Sequence, residues 1–153
     1  MITVRLIAVG RLRSGPLLDL FETYTHRLKW RLDLLEIDLR GESGPHVQAR
    51  ENDEILGRLL PDAPLFALDE RGKSLPSPHF ARLVGDLFDQ GQTTLQFVIG
   101  GADGLTDSVR ERARTLVSFG AMTWPHMLAR VMLAEQLYRA QQILSGHPYH
   151  RGE

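Results

Sequence analysis

Apolar residues follow two different rhythms along this chain, and the switching between them predicts its elements. Residues 2–9, ITVRLIAV, are a run of apolar and β-branched side chains closed by Gly10, which predicts a buried strand. From Ser14 to Trp30 the rhythm changes. Leu17, Leu18, Phe21, Tyr24 and Leu28 recur at helical steps, giving an amphipathic helix with Pro16 near its first turn. LDLLEIDL (32–39) predicts a second strand and the polar GESGPH a connector. Val47 to Leu60 predicts a helix closed by Pro61, and PLFALDE (64–70) a third strand that stops at RGK. Ser77 and Pro78 suit the cap and first turn of a helix reaching Asp89. TLQFVIG (94–100) is the most strand-like segment, and a helix is predicted from Thr106 or Asp107 through Val117. After the apolar stretch SFGAMTW, Pro125 opens the longest helix, from His126 to Leu144, ended by Ser145 and Gly146.

Strands alternating with helices define an α/β fold, a mainly parallel sheet covered on both faces, because parallel neighbours need a crossover. At 153 residues, with no repeat or linker, residues 1–153 are expected to form a single domain. Ligands of such sheets sit beyond the C-terminal strand ends, which singles out the loops after Val9, Leu68, Ile99 and Met122. The last helix carries Leu128, Val131, Met132, Leu133, Leu137, Tyr138, Ile143 and Leu144 around more than one stripe. It is expected to pack on its own sheet and on a second subunit. Within it Glu135 and Arg139 are spaced as an ion pair, while Arg130 is a candidate to face RNA.

The composition, 42% hydrophobic and 24% charged, is that of a globular chain rather than a disordered one. There is no cysteine, which excludes disulfides, zinc–thiolate sites and thiol nucleophiles. The first residues do not read as a targeting leader and no window approaches a membrane span, so a soluble, cytoplasmic protein is expected. A net charge of −1 advertises no global affinity for nucleic acid, but the charge is uneven. Residues 1–31 hold six Arg/Lys against two acids and residues 32–62 three against eight, which allows a local phosphate-facing patch.

Three segments carry candidate chemistry. In FVIGGADGL (97–105), glycines directly after a strand leave main chain bare for a ligand, and Gly104 permits a positive φ. The three-glycine nucleotide pattern is incomplete here and no Walker lysine follows. In FGAMTWPHML (119–128), small residues, the flat Trp124 and a helix-opening Pro125 offer peptide groups and an aromatic wall to an adenine-sized ligand. SGHPYHRGE (145–153) crowds His147, Tyr149, His150 and Arg151 together: Arg151 suits a phosphate, Tyr149 an unpaired base, and His150 titration near neutral pH.

Assembled in this order, LIAVGRLR, LDERGK (68–73), IGGADG (99–104), TWPHMLARVMLAEQLYRA and HPYHR (147–151) resemble the small SPOUT-class methyltransferases of the large ribosomal subunit, which modify N3 of a pseudouridine in 23S rRNA. The resemblance runs the full length. It departs at GGADG, where the usual form has Pro and Glu after the glycine pair, and at Trp124, often aliphatic. It implies a SPOUT-type α/β knot, a C-terminal trefoil, with S-adenosyl-L-methionine bound in the knot of a homodimer and no metal. Cofactor contacts would fall on Leu68, Gly100, Phe119, Gly120, Ala121, Met122, Thr123 and Trp124. His150 is the candidate base, Arg151 the candidate phosphate or imidate contact, and Arg139 a further catalytic candidate; His147 and Tyr149 join His150 and Arg151 in holding substrate. The implied substrate is met on the assembled ribosome, where shape and a local patch suffice for a chain of modest charge. Two alternatives stay open, a non-catalytic ribosome-binding factor and a nucleotide-binding oxidoreductase.

Overall fold

Each long apolar run becomes a strand of a parallel sheet in the computed structural model, which describes residues 1–42 and 44–150, His150 through its backbone alone. Among the described residues five strands, β1 (Thr3–Val9), β2 (Arg31–Ile37), β3 (Leu65–Ser74), β4 (Thr94–Ile99) and β5 (Thr115–Ser118), pair in the order β2-β1-β4-β3-β5. The helices are α1 (Pro16–Arg27), α2 (Val47–Arg58), α3 (Ser77–Asp89), α4 (Asp107–Arg112) and α5 (His126–Leu144), followed by a 3-10 turn at Pro148–His150. Successive strand side chains point to opposite faces. Leu6 and Ala8 therefore join Phe66, Phe97 and the apolar faces of α1, α3 and α5, whereas Ile7 and Val9 join Ala67, Val98, Ile55 of α2 and Val109 of α4. Phe66 and Phe97 stack with ring centroids 5.0 Å apart, and Phe80 meets both edge-on.

Three expectations change. The helix predicted from residue 106 to Val117 ends at Arg112, and Thr115–Ser118 form β5, paired in parallel with β3. The strand ending that matters is therefore Ser118, not Met122. The third strand does not stop at RGK. Leu68 and Lys73 both face Val117, so residues 69–72 leave the ladder as an outward excursion before Lys73 and Ser74 rejoin it. Ser77 is not the cap of α3; Pro76 holds that position, and the Ser77 hydroxyl donates to Gln136 Oε1 at 2.7 Å. Within the chain α5 is flanked by α1 and α3, and Met127, Leu128, Met132 and Tyr138 remain half-buried along it.

The excursion in β3 depends on Gly72. A Cβ there would sit 2.5 Å from the Leu116 carbonyl carbon and 2.7 Å from Val117 N, both main-chain atoms that cannot swing away. Gly72→Ala is expected to destabilise the fold by about 1–3 kcal/mol through overpacking. Gly57→Ala, on an exposed position of α2 with nothing within 4 Å, is expected to stabilise it by about 0.5–1 kcal/mol. Urea midpoints at constant m-value would measure both, and equal effects of the two substitutions would refute the account.

Candidate functional site

Because β4, β3 and β5 are consecutive in the sheet, their C-terminal ends lie side by side. Beyond them opens a groove of about 910 Å³. Its walls come from the 69–71 excursion, residues 99–107, and the segment from Phe119 into the first turns of α5. A second cavity of about 300 Å³ shares Leu68, Val117, Phe119 and Gly120 with it and runs inward to Phe80, Phe97 and Leu133. That inner space is mainly apolar, with Ser74, Ser77 and Gln136 as its polar handles. Together they have the size and chemistry of a small-ligand site.

The glycine-rich turn is held from behind by α2. Buried Asn52 donates through Nδ2 to Gly104 O (3.3 Å) and Gln48 O (2.8 Å), and its Oδ1 accepts from Thr106 N at 2.9 Å. Gln48 Nε2 donates to Asp103 O at 2.7 Å. Gly104 adopts φ +77°, as the sequence required, and its N–H donates to Gly101 O at 3.0 Å. A Cβ on Gly100 would meet Gly104 C at 2.9 Å and Leu105 Cδ2 at 3.0 Å, so the absence of a side chain there also accommodates the turn. Arg110, which donates to Asp69, Asp107 and Leu105 O, clamps the excursion to α4.

On the opposite wall the β5–α5 loop closes on itself. Ser118 Oγ donates to Gly120 O at 3.0 Å and accepts from Gly120 N at 3.1 Å, while Trp124 Nε1 donates to Phe119 O at 3.2 Å. Trp124 keeps 41% of its surface exposed and Met122 77%, so the groove has an apolar lip. Leu68, Gly100, Phe119, Gly120, Met122, Thr123 and Trp124 all line the groove. Ala121 is exposed and lines neither cavity.

Arg130 does not face outward. With 1% of its surface exposed, it pairs with Glu36 and donates to Gly10 O at 3.1 Å and Val9 O at 3.4 Å. Glu36 also accepts from Leu12 N at 2.7 Å, so one ion pair ties the start of α5 to the ends of β1 and β2. Nothing in the sequence marked Asn52 or Glu36, because each acts on partners more than twenty residues away. His126, which lines the groove, is held below the usual histidine range by burial and then by the Arg130 charge.

The C-terminal candidates gather at the far end of α5. Arg139 Nε donates to Glu135 Oε1 at 2.8 Å, completing the expected ion pair, and its guanidinium lies 5.1 Å from the centroid of the Tyr149 ring. Tyr149 packs edge-on to Tyr138 at 4.8 Å, and its hydroxyl donates to Glu135 Oε1 at 3.4 Å. His147 is exposed, and its Nδ1 accepts from Tyr149 N at 3.2 Å. Glu135 Oε2 accepts from Gln136, which in turn accepts from Ser77, so polar contacts connect the terminal turn to the inner cavity. The His150 side chain and Arg151 lie outside the described residues. Among the described residues no group of three or more His, Asp or Glu side chains is placed to hold a metal ion, and no helix is long and apolar enough to cross a membrane.

The family model for "Predicted SPOUT methyltransferase" matches residues 2–150, and the chain belongs to that family of methyl-transferring enzymes. A curated relative from Rhodospirillum centenum, named ribosomal RNA large subunit methyltransferase H, is 56% identical over 147 residues, 95% of this chain and 97% of that protein. Its namesake from Paramagnetospirillum magneticum is 50% identical over 145 residues, 94% of this chain and 95% of that one. Among solved structures, a probable methyltransferase from Bordetella pertussis Tohama I superposes with TM-score 0.58 at 19% identity, covering 90% of this chain and 95% of its own. Ribosomal RNA small subunit methyltransferase E from Neisseria gonorrhoeae, solved with S-adenosyl methionine, gives 0.50 at 15% identity, covering 94% of this chain and 66% of its own. At these identities the two structures speak to the fold.

Arg130→Ala is expected to cost about 3–5 kcal/mol of stability, the usual loss when one partner of a buried pair is removed. Chemical denaturation would measure it, and a variant of unchanged stability that bound RNA less well would return Arg130 to the surface. Burial, then the neighbouring Glu135 charge, pushes the Tyr149 phenol up to about 12 from 10.0. The folded pKa lies above the unfolded one, so the stability this group lends is complete below pH 10 and is lost as pH rises through about 12. An ultraviolet phenolate titration is expected to show a component near pH 12 that Tyr149→Phe abolishes. A titration indifferent to that substitution would contradict the packing described.

Proposed function

We propose that this chain transfers a methyl group from S-adenosyl-L-methionine to N3 of a pseudouridine in 23S rRNA, acting in the cytoplasm on the assembled ribosome. Family membership and the names of the curated relatives support the reaction class and the ribosomal RNA substrate. The observation that carries the reading is the continuous space at the ends of β4, β3 and β5, apolar inside and bordered by main chain at Gly100 and Gly120. We read the chain as one domain working as a homodimer, and the return of β4 between β1 and β3 supports the trefoil expected of the family.

The residues present fit the cofactor. Leu68, Phe119 and Trp124 offer apolar and aromatic surface, Gly120 leaves its side open with nothing within 4 Å of a would-be Cβ, and Met122, Thr123 and Gly100 border the same space. Ala121 falls outside the lining and is set aside. When bound, S-adenosyl-L-methionine supplies an activated methyl on a sulfonium, so the protein's task is chiefly positioning. The acceptor N3 is an imide nitrogen that becomes nucleophilic on losing its proton. We assign that proton to His150, contact with a phosphate or with the developing imidate to Arg151, and placement of the nucleotide to His147 and Tyr149. Arg139 acts on the acceptor through the Tyr149 ring it touches.

Calorimetry should give saturable binding of S-adenosyl-L-methionine. Ribosomes from cells lacking this protein should then accept one methyl, which mass spectrometry locates on a pseudouridine. His150→Ala should lower turnover more than cofactor affinity. Absence of cofactor binding by folded protein, or a methyl found elsewhere than on 23S rRNA, would defeat the proposal.

A further inference from the structure

The basic run of residues 1–31 does not survive folding as one patch. Arg5 turns inward and donates to Arg58 O at 2.8 Å. Arg27, Lys29 and Arg31 precede or open β2 and so sit at the N-terminal end of the parallel sheet, away from the groove. Only Arg11 and Arg13 follow β1 and therefore share the C-terminal end with it. Between them Leu12 is buried in the core and its N–H is held by Glu36, so the flanking arginines are turned outward, and both are exposed. The loop abuts the groove wall: a Cβ on Gly10 would lie 2.7 Å from Met127 Cε and 3.3 Å from His126 Nε2, and His126 lines the groove. Of the nearby arginines, Arg40 pairs with Asp38 and Arg130 with Glu36. The Asp38 carboxyl is held below the usual carboxylate range by its Arg40 hydrogen bond first, with Arg13 and Arg11 adding to the effect.

We propose that Arg11 and Arg13 are the phosphate-contacting edge of the RNA site, gripping the backbone beside the nucleotide that enters the groove. The inference rests on the rRNA methyltransferase reading above. It commits to RNA backbone because two exposed guanidiniums side by side match phosphate oxygens in charge and fork geometry. The groove that their loop adjoins at His126 has an apolar lip, Met122 and Trp124, of the kind on which an unpaired base can lie. Such contacts orient substrate without choosing its sequence. They also explain how a chain of net charge −1 can hold RNA: the positive field is local.

The test uses the full chain, with methyl transfer to ribosomes from cells lacking this protein measured across about 50–200 mM KCl. Arg11→Ala with Arg13→Ala should raise KM for ribosomes about tenfold and reduce the slope of log(kcat/KM) against log[salt] by about 1.4, at about 0.7 per lost phosphate contact. The kcat and the affinity for S-adenosyl-L-methionine should hold. Arg11→Lys with Arg13→Lys should keep most of the slope, and Lys29→Ala with Arg31→Ala should behave as wild type. If the double alanine loses cofactor affinity, and so its fold, the single substitutions decide, each expected to take half the slope change. A double variant with unchanged KM and slope, or one that loses only kcat, overturns the proposal while wild-type activity leaves the enzyme reading intact. Wild-type protein that methylates no ribosome overturns both.

Discussion

A guanidinium with almost no exposed surface cannot stay charged inside a protein unless other groups replace its water, and Arg130 draws them from two strands at the groove end of the sheet. Glu36 comes from β2, the Gly10 and Val9 carbonyls from β1, and the arginine itself from the second turn of α5. Satisfying that one charge fixes where α5 begins. It thereby places the Trp124–Pro125 lip and His126 on one wall of the groove and holds the β1–α1 loop against them.

The strand order does the rest. Putting β4 and β5 on either side of β3 brings three loops that are separate in the chain to one edge. Each is then secured by a polar side chain from behind: Asn52 under the glycine turn, Arg110 beside the β3 excursion, Ser118 within the β5–α5 loop. Rigid main chain around an apolar interior is what a positioning enzyme needs, because the reactivity resides in the donor and the protein contributes geometry.

Much of this was readable beforehand. The long strands and α5 showed their periods clearly, and the groove residues Leu68, Gly100, Phe119, Gly120, Met122, Thr123 and Trp124 were implied by the family resemblance, whose motifs fall near the strand ends. The misreadings have physical causes. Val109, Ala113, Leu116 and Val117 lie at helical steps of four, three and one, so a four-residue strand after α4 was indistinguishable from a continuing helix. The strand appeared to stop at RGK because residues 71–74 hold no apolar side chain, yet Gly72 lets this segment lie against β5. Ser77 has the chemistry of a cap, but a stronger partner in Gln136 stood across the packing interface.

Local order was thus already present in the one-dimensional pattern: alternation and helical spacing determine which segments bury which faces, and glycine and proline determine where they stop. What folding alone settled was which distant groups meet. Arg130 could be an RNA ligand or an internal strut by its position on a helix, and six basic residues could make one patch or several. A charge's role depends on the counter-charges and dielectric brought around it by other elements, and no spacing along a single chain carries that information.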